Sequence, residues 1–144
     1  MAWPTSHKSM HKRLLGIDYG DVRIGVAISD PLGLTAQPVG TIKNSDTALD
    51  DIIEIIIEKK VEKCILGLPK NQHGEDSKKA ADVRAFAAAL QAKHDIDIEF
   101  VDERFSTVAV TRQLQDMKIK AKKQRGIIDT QAAMYILQGV LDRS

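Results

Sequence analysis

The apolar positions of the chain change period several times, and each change marks a boundary between elements. Leu14 to Asp18 and Val22 to Ser29 are apolar runs rich in β-branched residues. The Gly/Asp turn between them predicts a hairpin whose first strand carries Asp18 at its tip. Pro31-Leu32-Gly33-Leu34 reads as a loop and Val39-Gly40-Thr41-Ile42 as a short third strand, which completes an antiparallel meander. Asn44, Ser45 and Asp46 offer N-cap side chains to a helix in which Leu49, Ile52, Ile53, Ile56 and Ile57 recur at helical spacing. Ile55 breaks that stripe, so the apolar face is broad.

Val61 to Leu68 predicts a strand reached by a helical crossover, hence parallel to the first. Gly67-Leu68-Pro69 stops it. The loop Lys70 to Asp76 follows, a lid or a plain connector, and Ser77 caps a helix carrying Val83, Phe86, Ala87 and Leu90. Ile96 to Glu103 alternates into a last strand, Ser106 or Thr107 caps a helix bearing Val110, Leu114 and Met117, and Ile128 to Val140 closes the chain as a helix burying Ala132, Ala133, Ile136 and Val140. Strands joined by crossover helices predict an α/β fold. Residues 1–12 show no periodicity and read as a flexible tail, leaving 13–144 as a single domain.

Composition narrows this picture only slightly. A chain of 144 residues with 43% hydrophobic and 28% charged positions suits one globular domain with a real core. Its formal net charge is +1, so any case for a nucleic-acid partner must be local. One stretch makes that case: Arg112, Lys118, Lys120, Lys122, Lys123 and Arg125 face a single acid, Asp116, a surplus of +5. Such a run alone is a solvated loop, whereas beside an acidic site it becomes a track for a phosphate backbone. The single Cys64, in an apolar run, excludes an intramolecular disulfide and fits a buried thiol in a reducing compartment. No apolar stretch is long enough to span a membrane and residues 1–13 lack the apolar centre of a secretion signal, so the expectation is a cytoplasmic protein without a membrane partner.

The acids carry the chemistry. A carboxylate at the tip of an apolar strand costs on the order of 1–3 kcal/mol or more unless something partners it, so Asp18 needs a ligand. Alternation along the last strand lets only one of Asp102 and Glu103 share a site with Asp18, and periodicity does not choose between them; Glu103 is taken. Asp129 precedes Ala132 and Ala133 by three and four positions and projects from the same face as those small residues. In a first helical turn it would otherwise serve as a partner of the macrodipole. Three gathered carboxylates repel one another unless divalent cations neutralise them, and hard oxygen ligands select Mg²⁺ or Mn²⁺. Two such ions suit phosphodiester hydrolysis: one lowers the pKa of the attacking water and the other stabilises the leaving oxygen. Nucleophilic alternatives are poorer, since no G-x-S-x-G occurs and His7, His11, His73 and His94 lie in the tail, the loop after the fourth strand and a helix end.

Gly16-Ile17-Asp18-Tyr19-Gly20 with Arg23, Gly25, Ala27 and Ser29-Asp30, Gly67-Leu68-Pro69 with Gly74, Asp102-Glu103-Arg104-Phe105-Ser106-Thr107, and Asp129 with Ala132-Ala133 and Ile136-Leu137-Gln138 together resemble the YqgF family. These are Holliday junction resolvase-like proteins, also called pre-16S rRNA nucleases, of the RNase H-like superfamily. The resemblance spans residues 13–141. It implies a five-stranded mixed sheet flanked by helices on both faces, its first three strands antiparallel. It also implies a cytoplasmic bacterial nuclease that matures the 5′ end of small-subunit rRNA, with structured RNA, pre-16S rRNA or the small-subunit precursor as partner.

By match of motif, Asp18, Glu103 and Asp129 take the places of the family's acidic metal ligands. Arg23 and Arg104 match motif arginines, for which the readings are a phosphate contact or structural pairing with Asp102 or Asp30. Where a lysine often stands a few positions before the last acid this chain has Gly126-Ile127-Ile128, and Lys122 or Lys123 is left to fill that role.

Rival readings remain. A Holliday junction resolvase cutting branched DNA and a non-catalytic RNA- or ribosome-associated factor would use the same fold. The first motif also resembles the phosphate-binding strand of actin-like and Hsp70-like ATPases, which hold nucleotide between two copies of this core, where one is expected here. The motifs do not distinguish RNA from DNA, endonuclease from exonuclease, or monomer from homodimer.

Overall fold

A computed structural model describes residues 12–70, 73–103 and 122–143, the side chains of 122–128 excepted. Five strands form one sheet: β1 (Arg13–Asp18), β2 (Arg23–Ser29), β3 (Ala36–Lys43), β4 (Val61–Leu68) and β5 (Asp97–Asp102), in the order β3-β2-β1-β4-β5. β1, β2 and β3 pair antiparallel, whereas β4 lies parallel to β1 and β5 parallel to β4. Helix α1 (Ala48–Glu58) supplies the first crossover and α2 (Lys78–Lys93) the second, while α3 (Lys122–Arg143) ends the described fold.

Strand alternation sorts side chains onto two cores. On one face Leu15, Ile17, Ile24, Val26, Cys64 and Leu66 pack with Ile52 and Ile56 of α1 and Val83, Phe86 and Leu90 of α2. On the other, Ala27 and Ile65 meet Ala132, Ala133, Ile136 and Leu137 of α3. Both faces of the central strands are therefore covered, which is why β1 and β4 read as continuous apolar runs rather than alternating ones. Cys64 is fully buried, and that burial pushes its thiol up to about 12, so it is an inert core group.

The element order follows the sequence reading, with four corrections. β3 begins at Ala36, three residues before the apolar run, because its pairing with β2 extends through Pro38. As an edge strand it tolerates that proline, and the register shifts beside it between Val26 and Ala27. The N-cap of α1 is Thr47, with no side-chain cap bond. Asn44 is committed elsewhere: its Nδ2 donates to the Gly20 carbonyl at 2.8 Å and its N–H to that of Val22 at 2.9 Å, pinning the β1–β2 turn. Within α1, Ile57 is 61% exposed while Ile55 packs against the core. At 3.6 residues per turn, Ile55 lies about 60° from Ile52 around the helix and Ile57 about 140°.

The fourth correction concerns α3, which is described from Lys122 and runs through Gly126, whereas the sequence pattern begins it at Ile128. Asp129 consequently lies seven residues beyond the first described residue of the helix rather than in its first turn, and a macrodipole role for it falls away. The predicted helix bearing Val110, Leu114 and Met117, like the 1–11 portion of the tail, lies outside the described residues.

Candidate active site

The parallel strands β1, β4 and β5 all end at one edge of the sheet, the edge where open α/β sheets bind ligands. Asp18 ends β1 there and is only 4% exposed. Gly16 and Leu14 share its strand parity and both meet the α3 side, so Asp18 belongs to that face. The next residue, Tyr19, turns to the opposite core and packs on Phe86 with ring centroids 4.9 Å apart, fixing the chain as it leaves the strand.

Two glycines flank Asp18 on the neighbouring strands. Gly25 is its direct partner on β2, and a Cβ at Gly25 would stand 2.0 Å from the backbone oxygen of Asp129. Gly67 follows Leu66, the β4 partner of Ile17, and a Cβ there would stand 2.9 Å from Glu103 Oε1. The bare backbone at each position leaves the room that α3 and the Glu103 side chain fill. Asp18, Glu103 and Asp129 are thus brought to one face and one edge of the sheet, drawn from two strand ends and a helix. Glu103 is the member of the adjacent pair that folds over the sheet on this side. Asp102 lines a cavity of about 260 Å³ between β5 and α3, together with Tyr135 and Arg143.

Arg23 opens β2 at the same edge. Its Nε–H donates to Asp129 Oδ2 at 3.2 Å, and both side chains are part-buried, 27% and 22% exposed. The structural partner of Arg23 is therefore Asp129, not the Asp102 or Asp30 suggested by the sequence. Asp30 is engaged at the far end of the hairpin, accepting from Leu34 N–H at 2.7 Å and Thr35 N–H at 3.0 Å. Those amides, Thr35 first, hold its carboxyl below the usual range. No three His, Cys, Asp or Glu side chains among the described residues stand close enough to hold an ion between them. The donor set nevertheless has the right chemistry, hard carboxylate oxygens brought to one face.

Gln138 fixes α3 two and a half turns beyond Asp129. Its Oε1 accepts from Ala36 N–H and its Nε2 donates to the Leu34 carbonyl, both at 2.9 Å, so the helix is tied to the β2–β3 loop. In the sequence Gln138 and Gly25 enter only through the family resemblance, and Gly67 only there and as part of a strand stop. Glycine inside a strand pattern was the available signal for close approach. Arg104 lies outside the described residues, as do the side chains of Lys122 and Lys123, whose backbone forms the first described turn of α3.

The loop after β4 borders the same edge and is stapled at its base. Pro69 O accepts from Ser77 N–H at 3.2 Å and Ser77 Oγ at 2.8 Å, and Ser77 in turn caps α2. Asp76 pairs with Arg84 and with Lys70, and Arg84 also lies over the Phe100 ring at 5.0 Å. Arg84 first and Lys70 second lower the Asp76 carboxyl from 3.8 to about 2. A depressed carboxyl contributes stability that is present above its unfolded value and lost as pH falls through the folded one. The urea midpoint of the wild type should therefore exceed that of Asp76→Asn above about pH 4 and converge on it toward pH 2. No difference between the two at any pH would assign the loop's closure to Ser77 alone.

Residues 12–143 match the family described as RuvX, Holliday junction resolvase. The chain belongs to the RuvX family. Among relatives of this RuvX chain, the "Putative pre-16S rRNA nuclease" of Moorella thermoacetica is 44% identical over 133 residues, 91% of this chain and 95% of the relative. The protein of the same name from Clostridioides difficile is 45% identical over 132 residues, 90% and 94% of the two chains. The solved structure of T. thermophilus RuvC in complex with a Holliday junction substrate matches with a TM-score of 0.57 at 12% identity, over 92% of this chain and 96% of that one, a likeness of fold. The fold is RNase H-like, a five-stranded mixed sheet with its first three strands antiparallel. In reaction class, this RuvX member is a nuclease, a hydrolase acting on ester bonds. No described helix is long and apolar enough to cross a membrane.

Proposed function

We propose that the protein hydrolyses phosphodiester bonds during 5′-end maturation of precursor 16S rRNA in the cytoplasm, with Asp18, Glu103 and Asp129 holding two Mg²⁺ or Mn²⁺ ions. The observation that carries this reading is the flanking of buried Asp18 by two glycines, one under the Asp129 backbone and one under the Glu103 carboxylate. Such an arrangement sets the carboxylates of Asp18 and Glu103 at the end of an apolar strand with the Asp129 backbone beside them, and hard carboxylate oxygens are the donors that Mg²⁺ and Mn²⁺ take. When bound, the ions supply a water of lowered pKa and neutralise charge on the leaving oxygen.

The chain's own residues then position the substrate. The water oxygen adds to phosphorus, the P–O3′ bond breaks, and the proton passes to the departing oxygen, leaving a 5′-phosphate and a 3′-hydroxyl. Arg104, Lys122 and Lys123 contact neighbouring phosphates. Lys122 precedes Asp129 by seven residues, about 10 Å along a helix axis, which is the reach of the next phosphates of a bound strand.

The test compares a 5′-extended 16S rRNA precursor with a four-way DNA junction at equal metal concentration. Shortening of the precursor to a 5′-phosphate end, abolished by EDTA, is expected. Cutting of the junction alone would replace the RNA reading with the resolvase one. Cleavage of neither substrate would overturn the proposal in favour of a non-catalytic RNA-associated factor.

A further inference from the structure

We propose that Arg23 is a latch on Asp129, which a divalent cation must release to complete the site. This rests on the metal-site reading above and adds to it an order of events. The Asp129 backbone is clamped, since its carbonyl carbon and oxygen lie 2.5 and 2.0 Å from where a Cβ on Gly25 would be. The helix cannot slide along β2, so the carboxylate moves only by side-chain torsion. Gly25 is the partner of Asp18, whereas Arg23 lies two residues nearer the hairpin turn on the same face of β2. The Asp129 carboxylate thus stands between two competing attractions, and in this structure Arg23 holds it.

The part-buried setting makes that hold stronger than a surface pair, because solvent and salt screen it less. It also offsets the repulsion among the carboxylates when no cation is present. A cation entering beside Asp18 takes Asp129 and frees the guanidinium. A free guanidinium at the mouth of the site is a bidentate phosphate ligand. The structural and phosphate-binding readings of Arg23 then describe successive states of one residue, and metal binding becomes coupled to substrate binding.

Calorimetric titration of the full chain with Mn²⁺ tests this without reference to activity. Arg23→Gln is expected to bind Mn²⁺ about tenfold more tightly than wild type, within the usual range of coupling between sites. In an Asp129→Asn background the same change should alter affinity by less than about twofold, because the effect passes through Asp129. An equal gain in both backgrounds would reduce Arg23 to a nearby charge, and no gain in either would remove the latch. Asp18→Asn separates the two layers. If it leaves Mn²⁺ affinity unchanged, the metal-site reading fails and the latch with it; if it weakens binding while Arg23→Gln gains nothing, only the latch fails. Should Arg23→Gln not fold, wild-type NMR decides: the Arg23 Nε–H resonance shifts and exchanges faster as Mg²⁺ is added, whereas a resonance unmoved at saturation overturns the proposal.

Discussion

Asp18→Asn is expected to lower the cleavage rate about 10³-fold, equivalent to about 4 kcal/mol of transition-state stabilisation, while leaving the fold in place. The amide is isosteric with the carboxylate, so the pairing of residue 18 with Gly25 and the packing of Tyr19 on Phe86 have no steric reason to change. What disappears is one negative charge at a site that is 4% exposed, where low local polarisability makes a charge count for most. Melting curves distinguish this from misfolding. Mg²⁺ that binds only the folded state raises the wild-type melting temperature by mass action, and that rise should vanish in Asp18→Asn while the metal-free melting temperature stays close to wild type. Glu103→Gln should behave alike. Cleavage at equal rates by wild type and both variants would mean that a contaminant does the cutting.

The sheet was legible because its signals are local. The runs 14–18, 23–29 and 61–68 announce themselves as strands, and the helical crossover before Val61 dictates the parallel pairing with β1. The site was legible as a set of acids but not as a geometry. Alternation could say that Asp102 and Glu103 face opposite ways, yet which of them turns toward α3 depends on the empty space above Gly67, a property of two strands and a helix together. The start of α3 was misplaced because Lys122-Lys123-Gln124-Arg125 offers no apolar position from which a helical stripe could be read. The Arg23–Asp129 pair spans 106 positions, and no local pattern encodes a contact that the sheet and the helix create by crossing. Long-range partners of charged residues are therefore the part of such a site that sequence withholds, and they decide its resting state.

Gly25→Ala carries the other large expectation, a loss of about 3 kcal/mol in unfolding free energy with loss of cleavage, from the addition of one methyl group. The new Cβ would stand 2.0 Å from Asp129 O, 2.5 Å from Asp129 C and 3.1 Å from Thr130 N. All three are backbone atoms, so no rotamer change relieves the clash and α3 must lift from the sheet. Lifting loosens Ala132, Ala133 and Ile136 from their core and carries Asp129 away from both Arg23 and Asp18. Stability and activity should therefore fall together, and Mg²⁺ should no longer raise the melting temperature. Gly139→Ala provides the control on the same helix. Nothing lies within 4 Å of its added Cβ, so the helix propensity of alanine should stabilise the protein by about 0.5–1 kcal/mol. Urea unfolding of the two variants measures both signs, and a Gly25→Ala protein as stable as wild type would show that α3 does not rest on β2 as closely as the site requires.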